Sequence, residues 1–204
     1  MFDVQDSPVP VPDDVRRAFS AYWRHLASPG ATLTGPDRVA LAAASRGESV
    51  DGPHPALVDL ARHLGLEPGT VFEAEVRAAA DEVGDAPTVE TIAVASLLSA
   101  VDGMHDALGI TRPQLPDPEP GTPTGDVADG LKRRRTHVPM PQGAIPVALD
   151  LVPAEGRMRI DLSAPIYMPD DEMVHPDWRR DPGLVRPQME VIAARTSWHN
   201  DCFY

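Results

Sequence analysis

The stretch TVETIAVASLLSAVDGMHDALG, residues 88–109, decides the fold of this chain. Its apolar residues recur at helical spacing over a wide face, and they are Val89, Ile92, Val94, Leu97, Leu98 and Val101. Pro87 and Thr88 are a helix start, and Gly109 is the kind of residue that ends one. A helix with so wide an apolar face needs neighbours to cover it. The pattern therefore predicts a long central helix over residues 87–108 in an all-α protein.

Amphipathic segments on both sides of this helix predict further helices. A stripe of apolar residues at spacings of four and three predicts a helix over Asp13–Ala27. Thr34 with Asp37 three residues later forms a helix-capping pattern for residues 34–44. Other helices are predicted over residues 55–64, where Gly65 would end the helix, 68–83 and 186–198. Between residues 137 and 170 prolines argue against long helices, and the alternation over residues 157–162 is typical of a short strand.

Composition limits the classes of protein that the chain can belong to. Its 204 residues suffice for one domain or two small ones, and its 23 prolines punctuate helices. Residues 111–126, TRPQLPDPEPGTPTGD, hold five of these prolines and predict a linker or surface arm. A single cysteine excludes an internal disulfide framework. We find no apolar run of about 18 residues and no secretory signal, so we expect no membrane span and a cytoplasmic location.

The net charge of −13 argues against nucleic-acid binding, which rewards basic surfaces. The one basic run is Lys132-Arg133-Arg134-Arg135. It is typical of a solvated surface segment, and the alternative is a contact with a phosphate or a partner.

The only cysteine, Cys202, lies in the closing run SWHNDCFY, residues 197–204. It follows a helix-like run that begins Arg186-Pro187-Gln188-Met189-Glu190. The arrangement reads like the start of a reactive-thiol motif, Cys-x-x-Cys-x-x-x-His, but the sequence stops before a second cysteine. Attack on a peroxide requires a thiolate, and Asp201 and the terminal carboxylate disfavour one. We therefore expect impaired thiol chemistry in the chain as it stands.

Four stretches together resemble the alkylhydroperoxidase D-like, carboxymuconolactone decarboxylase-like superfamily in its two-lobed form. They are residues 22–34 with YWRHL and PG, residues 38–42, residues 88–121, and residues 186–204. The resemblance implies an all-α helical bundle of two lobes joined by a proline-rich arm, with boundaries at 1–110, 111–136 and 137–204. The first lobe lacks the thiol motif, since Arg38 falls near where its glutamate would be.

The same resemblance implies self-association and the reduction of peroxides. We expect no cofactor and no metal, and because the sequence has no resolving thiol, an external thiol would be the reductant. Glu190 lies twelve residues before Cys202, the separation found in active members. Cys202 would then be the first motif cysteine, the one usually assigned as resolving, and Glu190 would be the proton-relay acid. The competing interpretations are a free thiol and a surface carboxylate, in a non-catalytic helical module that self-associates. The acidic residues 170–172 with His175 and Asp177 are a weaker candidate for a cation site. A lactone-acid decarboxylase follows only from the superfamily name.

Overall fold

The computed structural model describes residue 4 and residues 6–142, 147–180 and 183–199. Across these residues the regular structure is helical, which confirms the all-α prediction, and only isolated bridges join extended residues. The helices are α1 (Asp13–Ala27), α2 (Gly35–Ser45), α3 (Pro55–Leu66), α4 (Glu73–Val83), α5 (Asp85–Leu108), α6 (Pro153–Ile166) and α7 (Arg186–His199). Short 3₁₀ turns lie at Pro68–Thr70 and Asp170–Val174. None of the helices in the described ranges combines the length and apolar character that a membrane crossing needs.

Helix α5 is the central element of the molecule, as its apolar face predicts. It contacts α2, α3, α4 and α6. Val89, Ala93 and Val101 on this helix are fully buried. It begins two residues earlier than predicted, at Asp85, and ends before Gly109, whose φ of 68° is the left-handed conformation expected there.

The first two helices follow their local signals closely. Helix α1 has the predicted bounds, and its stripe is buried. At the start of α2 the Thr34 side chain accepts a hydrogen bond from the backbone of Asp37, and the Asp37 carboxylate accepts one from the Thr34 backbone. This reciprocal cap fixes where the chain enters α2.

Two of the predicted boundaries were wrong for local packing reasons. Gly65 lies inside α3, which ends at Leu66. A Cβ atom on Gly65 would lie 1.9 Å from the carbonyl oxygen of Ser45, so this glycine serves the close approach of α2 and α3. The helix predicted over residues 68–83 is divided into the 3₁₀ turn at Pro68–Thr70 and α4.

The strand predicted over residues 157–162 was wrong, since these residues lie inside α6. The two prolines that argued against a helix stand at its ends. Pro153 occupies the first turn, where proline is favoured, and Pro165 lies in the last turn. Leu162 is buried in the same apolar cluster as residues of α1 and α5, whereas Ile160 is 42% exposed, so the alternation does not mark a two-sided strand.

The proline-rich segment 111–126 has no regular secondary structure and crosses the connection between α1 and α2. Backbone hydrogen bonds fasten it there: Glu119 N–H donates to the Ala27 carbonyl at 2.8 Å, and Thr124 N–H donates to the Gly30 carbonyl at 2.9 Å. Beyond it, α6 packs on α1 and α5. The division into lobes at 1–110, 111–136 and 137–204 stays a prediction.

Candidate functional site

Glu190, the predicted proton-relay acid, lies on the second turn of α7 with its side chain 47% exposed. Its Oε1 accepts a hydrogen bond from the Arg186 guanidinium, one turn earlier on the same helix. It also accepts a hydrogen bond, at 3.2 Å, from the hydroxyl of Tyr167, which is the residue that follows α6. Arg186 additionally donates to the Met173 carbonyl at 3.0 Å, which ties the start of α7 to the preceding turn. The carboxylate is therefore held at a defined place and still open to solvent.

The phenol of Tyr167 keeps its proton at neutral pH. Desolvation raises the pKa of Tyr167, and the negative charge of Glu190 and the hydrogen bond to it raise the pKa further, against the opposing effect of Arg186. A protonated phenol on a carboxylate is a donor and acceptor pair that can pass a proton. The sequence drew attention to Glu190 but not to Tyr167, because a contact between α6 and α7 has no local signal.

Cys202, the predicted thiol, lies outside the described residues, as does the rest of the run 200–204. Its pairing with Glu190 therefore stays a prediction.

A second constellation of charged side chains is buried in the helical core. The Arg38 side chain on α2 is 1% exposed, and its Nη1 donates to Glu155 Oε1 at 2.6 Å and to Glu90 Oε1 at 3.1 Å. His25 Nε2 lies 2.9 Å from Glu155 Oε2. These four side chains, His25, Arg38, Glu90 and Glu155, are called the buried quartet below. They join α1, α2, α5 and α6 through one set of hydrogen bonds.

Glu90 also organises the connection between α1 and α2. Its carboxylate accepts hydrogen bonds from the backbone N–H groups of Ala31 at 3.0 Å, Thr32 at 2.7 Å and Leu33 at 3.2 Å. It also accepts one from the Thr32 hydroxyl. The loop wraps the carboxylate so closely that a Cβ atom on Gly30 would lie 1.8 Å from Glu90 Oε1. Glycine at position 30 is therefore required by close approach.

Arg38 and Glu155 of the buried quartet retain their charges because each compensates the other. Burial by itself raises the pKa of Glu155, but the hydrogen bond from His25 and the charge of Arg38 outweigh it, so the pKa of Glu155 lies below its usual value. For Arg38 burial opposes the charge, and the two carboxylates raise the pKa above its ordinary value despite it. Since only His25 reaches the surface, with 18% of its side chain exposed, the quartet offers a structural junction rather than an open reaction site.

Sequence reasoning missed most of this quartet. It noted Arg38 only as standing near the position of a motif glutamate and gave no role to His25, Glu90 or Glu155. The available signal was a charge on an otherwise apolar helix face: Glu90 interrupts the apolar run of α5, and Arg38 interrupts an alanine-rich α2. A charge in that position is buried and therefore requires a partner.

The described part of the chain contains no group of three histidine, cysteine, aspartate or glutamate residues arranged to hold a metal ion. The acidic run considered for a cation forms the 3₁₀ turn Asp170–Val174, and Asp170 accepts a hydrogen bond from Arg159 at 2.7 Å. The Arg159 guanidinium thus occupies the position beside Asp170 where a cation was considered.

An open cleft of about 620 Å³ is lined by residues of α1, of α6 and of the segment that follows α6. Its walls include Ala18, Ala21, Ala164 and the indole of Trp178. Arg180 crosses it, donating to Asp14 at 3.1 Å and to the Ala164 carbonyl at 2.7 Å. The cleft can take an apolar group, although no described contact links it to Glu190.

Comparisons with protein-family models, with curated proteins and with solved structures found no match to this chain.

Proposed function

We propose that the chain is a thiol-dependent, peroxidase-like oxidoreductase of the alkylhydroperoxidase-like kind, with Cys202 as its reacting thiol and Glu190 as its proton-relay acid. The observation that carries the proposal is the contact of the Glu190 carboxylate with the Tyr167 hydroxyl and the Arg186 guanidinium. This contact gives the acid of the resembled motif a fixed position and a second proton donor.

The proposed reaction moves one proton twice and uses an external thiol as its reductant. Glu190 accepts the proton of the Cys202 thiol, and the thiolate sulfur attacks the distal oxygen of a hydroperoxide. An S–O bond forms as the O–O bond breaks, and Glu190 returns the proton to the leaving alkoxide, which departs as an alcohol. The product is a sulfenic acid, Cys–SOH.

Cys202 is the only cysteine in these 204 residues, so in the proposed cycle it reacts with the peroxide and an external thiol resolves it. A small thiol displaces water from the sulfenic acid to give a mixed disulfide, and a second thiol releases Cys202 and leaves as a disulfide with the first. This cycle needs a reducing compartment, and we therefore propose a cytoplasmic location.

The experiment measures sulfenic acid formation on the reduced full chain. The chain is mixed with hydrogen peroxide or cumene hydroperoxide, the sulfenic acid is trapped with a dimedone-type reagent, and the adduct is counted by mass spectrometry. A single cysteine makes the adduct a direct report on Cys202. Asp201 and the lack of a second cysteine should keep the rate below that of a complete two-cysteine site, and proton uptake by Glu190 should keep it above that of free cysteine at the same pH. We expect no adduct in Cys202→Ser and a rate about 100-fold lower in Glu190→Gln.

The matched control is Glu67→Gln, which removes an exposed carboxylate at the end of α3. It changes the net charge by the same amount and should leave the rate unchanged. Oxidation of the unaltered chain no faster than that of free cysteine, or equal rates in the two glutamine variants, would contradict the proposal.

A second candidate function, a self-associating helical module without catalysis, is favoured by the exposure of α7. Val191 is 69% exposed and Trp198 is 81% exposed, and their separation of seven residues sets them on one face. Tryptophan is enriched where protein surfaces meet. The occupant that we propose for this face is the α7 of a second copy.

Sedimentation velocity tests this module on the full chain. We expect a concentration-dependent dimer that dissociates in Val191→Ser/Trp198→Ser and is retained in Val9→Ser, which removes an exposed apolar side chain elsewhere. A monomer at all concentrations contradicts self-association, and a dimer whose thiol does not react beyond free cysteine favours this function over the first.

A further inference from the structure

The basic run Lys132-Arg133-Arg134-Arg135 is folded into a loop in which one cationic residue pairs with a carboxylate and the other three line a cavity. An isolated antiparallel bridge between Lys132 and Met140 turns the chain back on itself. Arg133 forms an ion pair with Asp85 at the start of α5. The other three cations line one cavity of about 350 Å³ together with Thr136, Met140, Pro141 and Gln142. The loop thus separates one arginine that is paired with a carboxylate from three cationic residues that line one cavity.

These three cations have no carboxylate partner within the described ranges. The ion pairs found there involve Arg133 of this loop but none of Lys132, Arg134 or Arg135. Three positive charges that share one cavity repel one another, and an anion in the cavity would remove that repulsion. The sign of this cluster is opposite to the net charge of the chain, which is −13.

The lining has the composition of a small-molecule site rather than that of a flat basic patch. Two guanidinium groups offer forked donors that match phosphate oxygens, and Lys132 adds a point charge. Thr136 donates its hydroxyl to the Val138 carbonyl at 2.8 Å, which fixes the turn between the cations and the apolar wall. Met140 and Pro141 supply that wall. The cavity volume lies at the lower end of the range for small-ligand pockets, about 300–1,000 Å³.

We propose that this loop is a binding site for a small phosphomonoester, in which the three cations hold the phosphate group and Met140 and Pro141 contact its organic part. The acidity of the whole chain disfavours a long polyanion such as a nucleic acid, since the cavity is small and the surrounding field is repulsive. The site is independent of the thiol chemistry proposed above.

Isothermal titration calorimetry on the full chain tests the site, with phenyl phosphate as the probe and phenol as its uncharged counterpart. We expect saturable binding of phenyl phosphate that weakens as salt is raised, and no binding of phenol. Arg134→Gln/Arg135→Gln should weaken binding at least tenfold. The control Arg24→Gln/Arg157→Gln removes two exposed arginines outside the cavity and should bind within twofold of the unaltered chain.

Circular dichroism and thermal unfolding establish that both double variants fold. The proposal is overturned if phenyl phosphate does not bind, or if the two double variants bind it equally. It is also overturned if a hexaglutamate peptide binds more tightly than phenyl phosphate, because the loop would then be a surface for acidic polypeptides. Binding of inorganic phosphate with the same affinity as phenyl phosphate would overturn the role of Met140 and Pro141.

Discussion

The buried quartet and the ionic contacts at the start of α7 use the same groups and reach opposite outcomes. In each, an arginine binds a glutamate beside a third polar side chain. In the quartet, the side chains of Arg38 and Glu155 are at most 1% exposed, whereas Glu190 is 47% exposed. Burial makes each partner of the quartet indispensable to the others, since an uncompensated charge in the core is costly. Exposure leaves Glu190 open to solvent, and an exposed ion pair of this kind contributes little to stability.

The resemblance and the structure point to different glutamates. The resemblance singles out Glu190, which is open to a reactant but gains little from its partners. The packing singles out Glu90 and Glu155, which connect four helices with their side chains fully buried. The following tests measure how far these two roles are separate.

The largest effect is expected from Arg38→Met, which leaves Glu90 and Glu155 buried without their cation. Removing one partner of a buried ion pair typically costs about 3–5 kcal/mol of the free energy of unfolding. Urea denaturation followed by circular dichroism at pH 7 measures it. Arg38→Lys keeps the charge without the fork and should lose less. A loss under about 1 kcal/mol for Arg38→Met would show that the quartet does not hold the core together.

Gly30→Ala should also lower the free energy of unfolding, but by less than Arg38→Met. The new methyl group would lie 1.8 Å from Glu90 Oε1 and 2.6 Å from Arg38 Nη1, so the loop or the quartet must shift. Overpacking of this kind costs about 1–3 kcal/mol. The matched control is Gly103→Ala in α5, where nothing lies within 4 Å of the added atom.

In that control the substitution should increase stability by about 0.5–1 kcal/mol, because alanine favours a helix interior over glycine. Thermal or urea unfolding of both variants gives the comparison. Equal changes in the two variants would mean that the close approach at Gly30 is absent in solution.

Acid should weaken the buried quartet through Glu155. Because the pKa of Glu155 is lower in the folded chain than in the unfolded chain, its contribution to stability is complete above the unfolded value of about 4.3. This contribution is lost as the pH falls through the folded-state pKa. We expect Glu155→Gln to flatten the decline of the free energy of unfolding below about pH 4.3, while Glu67→Gln leaves the decline unchanged. Parallel declines in both variants would remove Glu155 from the acid response.

The elements that could be predicted from sequence are those with local causes. The cap of α2, the stripe of α1 and the apolar face of α5 with its closing Gly109 each depend on residues a few positions apart. Helix α6 was missed because its helicity depends on burying Leu162 beside α1 and α5, which no local pattern records. Gly65 was misread for the same reason, as its role is set by Ser45 on another helix.

The candidate site divides in the same way. The spacing of Glu190 to Cys202 is a local property and could be noticed, whereas the Tyr167 hydroxyl reaches Glu190 from another helix. The buried quartet draws on positions 25, 38, 90 and 155, so only the presence of Arg38 and Glu90 on apolar faces hinted at it. Pairings over such distances in sequence require the fold to be known first.

The smallest effect is expected from Arg186→Met, the α7 counterpart of Arg38→Met. The ion pair with Glu190 spans one helical turn and faces solvent, so its loss should change the free energy of unfolding by no more than about 0.5 kcal/mol. Urea denaturation measures both arginine variants under the same conditions. If Arg186→Met cost more than about 1.5 kcal/mol, the contact with Tyr167 and Met173 would be a structural junction like the buried quartet, and Glu190 would lose the independence that its proposed proton transfer requires.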